Sequence, residues 1–273
     1  MTMAIFRDDD SENPEFVTSV PTSDNYEISR TVETPLIKAK LRTPAVSEVL
    51  DRKGLQEILD RSLKNSAATL LVGRAGSGKT ALAADFARRR PDHTWYSIDA
   101  SDSDWSSFQR YFRASIMGER EALRKRRILN EIATSTRPVE LFADITAALE
   151  LDDMDWPSLI VLDSVHHLFD CMWFEEFFVY LIASLPHTSH VILISRSKPP
   201  TPVWRMRSKQ VLNVIDENSL AFSPTEAVEL FARNGLNRHV AVEAQAQTFG
   251  RPGDMIAFIS SAIGTTANAR RNS

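Results

Sequence analysis

A single cysteine, Cys171, stands among 273 residues. One thiol forms no internal disulfide, and a reducing compartment fits. Its neighbours Met172, Trp173 and Phe174 are the setting of a small buried thiol rather than a catalytic one. Also absent is any run of about 18 apolar residues, so no spanning helix is expected. Residues 1–10 are acidic and carry no apolar signal core, and the location expected is cytoplasmic. Basic residues are not in excess: 32 Lys and Arg face 36 Asp and Glu, for a net charge of −4 and a pI near 5.9. That balance argues against a protein that coats nucleic acid, while leaving room for a local basic patch. No internal repeat is visible.

What is present describes a packed globular protein. Hydrophobic residues make up 43% and charged residues 25%, and the length suits one large domain, alone or with a small one. Residues 1–33 are polar, with Asp8-Asp9-Asp10, Pro14 and Pro21, and read as a disordered tail. Thr34 to Pro44 reads as extended. Val46 to Leu63 carries apolar residues at helical spacing. Short apolar runs then alternate with helical stretches. Thr69-Leu70-Leu71-Val72, Thr94 to Ile98, Leu159 to Leu162, Val191 to Ile194 and Val211 to Ile215 are the expected strands. Between them, helices are expected over Thr80 to Arg90, Trp105 to Met117, Glu119 to Ala133, Val139 to Leu149 and Phe174 to Leu185. Continuous apolar strands separated by helices predict a parallel five-stranded sheet covered on both faces. Ser223-Pro224-Thr225-Glu226 has the chemistry of a helix start: an N-cap, a first-turn proline and a capping-box glutamate. The domains expected are therefore 34–215 for the α/β layer, 216–263 for a small helical lid, and 264–273 for a frayed tail.

Gly73-Arg74-Ala75-Gly76-Ser77-Gly78-Lys79-Thr80 fits G-x-x-x-x-G-K-[ST], with a strand before it and a helix after it. This is a phosphate-binding loop. Gly76 and Gly78 permit backbone conformations and close approaches that a side chain blocks. Ser77 lies between them. Successive N–H groups then turn toward an anion, and the helix beginning near Lys79 aims its free N–H groups and positive dipole end at the same place. Lys79 adds a full positive charge, and Thr80 a hydroxyl ligand for magnesium. The cofactors implied are ATP or ADP with Mg2+.

The third strand ends in Asp163, placing a carboxylate beside the magnesium, so the metal ligands expected are Thr80 and Asp163. The next residue, Ser164, hydrogen-bonds water but is no carboxylate base. His166 and His167 follow without a ligand-spaced cluster, which argues against a metal centre of their own. The fourth strand ends in Ser195-Arg196, and Arg196 is the candidate sensor of the transferred phosphate, set against the alternative of an exposed strand-end arginine. Asp163 and Arg196 are thus the candidate catalytic residues. Trp173, Phe174, Phe177, Phe178 and Tyr180 read as core packing rather than a ligand pocket.

From about Thr34 to Ile263 the chain resembles the nucleotide-binding domain of MalT-type (LuxR-family, large ATP-binding) transcriptional regulators, a branch of the signal-transduction ATPases with numerous domains (STAND). The resemblance rests on Lys40-Leu41-Arg42-Thr43-Pro44 with Leu50-Asp51-Arg52, on Trp95 to Asp99 with Asp102-Ser103-Asp104-Trp105, and on Leu162-Asp163-Ser164-Val165-His166. It continues through Ser195-Arg196 with Pro199-Pro200, Leu220 to Ser223 with Glu226, and Gly250-Arg251-Pro252. It implies an α/β P-loop NTPase with a C-terminal helical lid, Arg52 and Pro252 near the nucleotide, and Pro252 on its adenine side. It implies further a switch that rests with ADP and self-associates with ATP, DNA being bound only through a C-terminal domain that this sequence does not include. Ser164 stands where the family has a second acid, so hydrolysis is expected to be slow or absent. Two other readings stay open from residues alone. One is a P-loop ATPase or small-molecule kinase with a substrate lid at Arg120, Arg124, Lys125, Arg126 and Arg127, although Glu119, Glu121 and Glu131 interleave with it as on a solvated helix face. The other is a DNA-binding ATPase using that same stretch, which lacks aromatic interleaving.

Overall fold

A computed structural model describes residues 36–46, 50–118 and 135–271. The tail 1–33, the helix expected over Glu119 to Ala133 and its basic stretch lie outside the described residues. From Leu36 onward the chain forms one compact unit.

Five strands, β1 (Ala68–Val72), β2 (His93–Ser97), β3 (Leu159–Asp163), β4 (His190–Ser195) and β5 (Leu212–Ile215), form one sheet. Their order is β2-β3-β4-β1-β5, and every pairing is parallel. The period of two along each strand sends apolar side chains to opposite faces. Leu70, Tyr96, Ile160, Leu162, Val191 and Leu193 join one buried cluster; Leu71, Trp95, Val161, Ile192 and Ile194 join another. Both faces are therefore dry, as a parallel sheet requires.

The first cluster is covered by α3 (Trp105–Met117), α4 (Pro138–Leu151) and α5 (Phe174–Ser184). Phe108, Phe112, Phe142 and Phe177 meet there edge-on, stacked or tilted, with ring centroids 4.8–5.8 Å apart, and Phe174, Phe177 and Phe178 are buried in it. The second face takes α1 (Lys53–Asn65) and α2 (Lys79–Arg88), through Leu55, Leu59, Leu82 and Phe86. α6 (Thr201–Arg205) lies between β4 and β5, and beyond β5 the chain is helical, through α7 (Glu217–Leu220), α8 (Pro224–Arg233), α9 (Arg238–Thr248) and α10 (Pro252–Arg271). Their side chains Phe222, Leu230, Phe231, Ala241 and Met255 enclose a third cluster, which Leu50 enters from ahead of α1. Ser223 caps α8, accepting from the Glu226 N–H while the Glu226 carboxylate accepts from the Ser223 N–H.

The segment expected to be extended from Thr34 to Pro44 instead closes a 3-10 turn at Lys38–Leu41, because Lys40 is pulled inward to Asp102. The helix expected from Val46 begins only at Lys53, since Leu50 and Arg52 are drawn toward the C-terminal helices. α6 was hidden by Pro199, Pro200 and Pro202; the last stands within its first turn, where the missing N–H costs nothing. Past residue 264, where fraying is expected, helix α10 runs on to Arg271.

Candidate functional site

In a parallel sheet every strand delivers its carboxyl end to the same edge, which is where ligands bind. Register aligns Val72 with Ser195 and Asp163 with Ile194. Gly73, Asp163 and Arg196, far apart in sequence, therefore leave the sheet side by side. Beside them lies a cavity of about 270 Å³ lined by Gly76, Gly78, Lys79, Thr80, Asp163, Ser164, His166 and Arg196 among others.

The loop from Gly73 to Gly78 turns twice through left-handed backbone, at Gly76 (φ 80°) and Gly78 (φ 83°), and enters α2 at Lys79. Lys79 is 7% exposed. Its ammonium donates to the carbonyls of Gly73 (2.5 Å) and Arg74 (2.8 Å) and to Ser77 Oγ (2.9 Å). Among the described residues no carboxylate pairs with it directly. Burial lowers its affinity for the proton; Asp163 and Glu217 act in the other direction, while Arg196 and Arg251 deepen the loss.

Asp163 is buried, and burial raises its pKa against the hydrogen bonds it accepts from Thr80 and Ser164. Thr80 Oγ1 lies 3.2 Å from one carboxylate oxygen and 3.5 Å from the other. Ser164 holds a left-handed conformation (φ 66°), uncommon for a residue with a side chain, and its hydroxyl donates to Asp163 at 3.4 Å. The 3-10 turn Val165–Leu168 follows. It brings His166 to the cavity wall, with Nδ1 buried and unpartnered. Burial, His167, Arg196 and Lys79 all depress the His166 pKa, so the ring is neutral near pH 7.

Gly76, Gly78, Lys79, Thr80, Asp163 and Arg196 thus share one cavity, with Gly73 and Ser77 bonded to Lys79 behind it. Pro252 packs on the loop: a Cβ placed on Gly78 would lie 3.1 Å from its Cγ. Arg52 is placed elsewhere. It donates to the carbonyls of Leu220 (2.6 Å) and Ala221 (2.8 Å), pairs with Glu226 at 2.9 Å, and lies over the Phe222 ring. It lines a second cavity with Asp51, Ser223, Glu226 and Arg233.

Three contributors were not singled out from sequence. His166 was visible, but its direction depends on the turn that follows Ser164. Glu217 and Arg251 reach the loop from 143 and 176 residues away, and their contacts leave no local pattern.

A family model described as an AAA domain matches residues 61–196. The HTH-type transcriptional regulator MalT of Yersinia enterocolitica is 29% identical over 174 residues, covering 61% of this chain and 18% of that protein. MalT of Serratia proteamaculans is 30% identical over 171 residues, covering 62% and 19% respectively. The chain thus spans under a fifth of the length of these curated relatives. Among solved structures, a STAND protein with a tetratricopeptide repeat sensor from Pyrococcus horikoshii matches in fold. Its TM-score is 0.51 at 22% identity, over 77% of this chain and 29% of that one.

Proposed function

We propose, for a chain that carries an AAA-type P-loop NTPase domain similar to that of the MalT regulators, that it is an ATP- and ADP-binding switch in transcription control. The observation that carries this reading is Lys79: a buried cation, seated on carbonyls at a helix start, with no direct carboxylate partner. Such a group has been withdrawn from water in advance of an anionic ligand, and the helix dipole adds to the attraction.

The residues fit a magnesium nucleotide. Two left-handed glycines shape the cradle, Lys79 faces the phosphates, and Thr80 and Asp163 supply adjacent hard oxygen donors suited to magnesium. When bound, the metal neutralises charge on the phosphate oxygens. Arg196 senses the terminal phosphate from the end of β4. Pro252 holds the adenine side, and Arg52 sets the approach of the helices that follow β5. Residues 216–263, from α7 into α10, act as a lid. With ATP the lid and Arg196 promote self-association, which light scattering with ATP, ADP and no nucleotide tests; an unchanged mass in all three refutes it.

Turnover is slow because no carboxylate stands at Ser164. General-base positioning is worth on the order of 10²–10⁴-fold, and a neutral hydroxyl tied to Asp163 supplies little of it. Ser164→Asp accelerates hydrolysis without tightening binding; an unchanged rate would place the water-orienting group elsewhere.

The binding test is thermal. ATP at a hundredfold excess over its Kd adds about 2.7 kcal/mol, roughly 5–10 °C in Tm for a domain of this size. Lys79→Ala removes most of that increment. An increment of wild-type size in the variant rules the site out.

A further inference from the structure

A loop that turns its N–H groups toward a ligand turns carbonyls the other way, where they can accept from groups packed on its outer side. Here the outer side of the phosphate loop is held residue by residue. The Arg74 N–H donates to Glu217 Oε2 at 3.1 Å, and the Arg74 guanidinium donates to the same carboxylate. The Ala75 carbonyl accepts from the Arg251 guanidinium. The Gly76 carbonyl accepts from the Gly253 N–H at 2.7 Å. Glu217 opens α7, directly after β5; Arg251 and Gly253 flank the first residue of α10. Arg251 Nε stands 3.5 Å from Glu217 Oε1, which joins the two supports to each other.

The close approach is deliberate in shape. A Cβ on Gly253 would lie 2.9 Å from the Gly76 carbonyl oxygen and 3.0 Å from the Gly76 Cα, so no other residue fits without prying α10 off the loop. Glu217 and Arg251 are about three-quarters buried, at 27% and 26% side-chain exposure, whereas the Arg74 side chain is 75% exposed. Screening leaves the Arg74 side-chain pair little weight. The bonds from Glu217, Arg251 and Gly253 to backbone atoms of residues 74–76 are what hold the outer side of the loop.

Resting on the nucleotide-binding reading above, we propose that Glu217 and the Arg251–Gly253 turn form an external brace on the phosphate loop. Glu217 is its positioning residue. Seating of the C-terminal helices and nucleotide affinity then rise and fall together. The same bonds that order residues 74–76 for phosphate also dock α7 and α10, so the coupling is reciprocal. Glu217, Arg251 and Gly253 do not line the cavity; they act through the loop backbone.

The experiment uses the whole chain, with a fluorescent ADP analogue and magnesium as the probe. Glu217→Ala and Gly253→Ala each weaken binding about tenfold or more, chiefly through faster release, and shrink the ADP-induced rise in Tm. Hydrogen exchange in α10 increases in both variants without nucleotide, but not in Lys79→Ala, which leaves the brace intact. Glu217→Gln, which keeps an acceptor for the Arg74 N–H, falls between. A double-mutant cycle of Glu217→Ala with Arg251→Ala gives less than the product of the single effects. A purely structural role would lower Tm equally with and without ADP. Wild-type affinity and release in both Glu217→Ala and Gly253→Ala, while the wild-type chain binds, overturns the brace. Failure of the wild-type chain to bind any nucleotide overturns instead the reading on which it rests.

Discussion

Two lysines are buried to nearly the same degree, Lys40 at 8% exposure and Lys79 at 7%, and their surroundings are opposite. Lys40 donates to both oxygens of Asp102, at 3.0 and 2.8 Å, and pairs with Asp99 at 2.9 Å. Burial works against its charge, but these carboxylates outweigh burial and raise its pKa. Lys79 has carbonyls and a hydroxyl around it, and burial lowers its pKa. The first cation has its counter-charge within the chain and fastens the segment before α1 to the loop after β2. The second has most of its counter-charge still to come. A buried cation answered internally is architecture; one answered only by dipoles is a site.

Removing the internal partner is the severest way to break this contrast. In Lys40→Met, Asp102, 0% exposed, is left as a buried, uncompensated charge, and breaking such a pair costs about 3–5 kcal/mol. Denaturant unfolding with and without nucleotide checks it: the loss is equal in both. A nucleotide-dependent loss would mean that Lys40 serves the binding site.

A third buried cation-former sharpens the comparison through pH. His190 opens β4, with Nε2 2.8 Å from Thr69 Oγ1 and Nδ1 2.9 Å from the Ser66 carbonyl oxygen. Burial pushes its pKa down to about 4. The unfolded chain, with His near 6.5, binds the proton first, so stability is full above pH 6.5 and drains away as pH falls toward 4. The loss from this group is on the order of 3 kcal/mol. Tm measured across that range in wild type and His190→Gln isolates it; parallel curves would remove His190 as the cause.

The smallest effect is expected at Lys79 without nucleotide. Lys79→Met releases a desolvated charge that has no carboxylate partner, so the apo Tm stays within about 2 °C of wild type, well inside the span of ordinary substitutions. A large apo loss would show the loop to depend on the ammonium for its shape, and the contrast with Lys40 would collapse.

The phosphate cradle was legible because its chemistry is contiguous: Gly73 to Thr80 carries the glycines, the cation and the hydroxyl within eight residues. The strands were legible for a related reason, since burial on both faces leaves unbroken apolar runs such as Leu159 to Leu162. What the sequence hid is tertiary. Lys40 meets Asp102 across 62 residues, and nothing near either announces the other. Arg52 announced a cation but not its occupation by Glu226 and two carbonyls. α6 was masked by prolines that usually interrupt helices but here stand at the start of one. His166 stands three residues past Asp163 in sequence, but only the backbone turn after Ser164 brings it to the cavity wall.

The position of β1 in the sheet has a consequence for how the protein is made. β1 carries the phosphate loop, yet its neighbours are β4 and β5, with Ala68 opposite Val191 on one side and Leu212 on the other. At about 5–20 residues per second on the ribosome, roughly 120 residues separate the emergence of β1 from that of its first partner, a wait of about 6–24 s. Through that interval the apolar run of β1 has no sheet to join and no carboxyl-edge cavity at its end. Nucleotide therefore finds nothing to hold on the nascent chain until β4 has emerged, and the long wait of an unpaired apolar strand makes β1 a natural client for chaperones during synthesis.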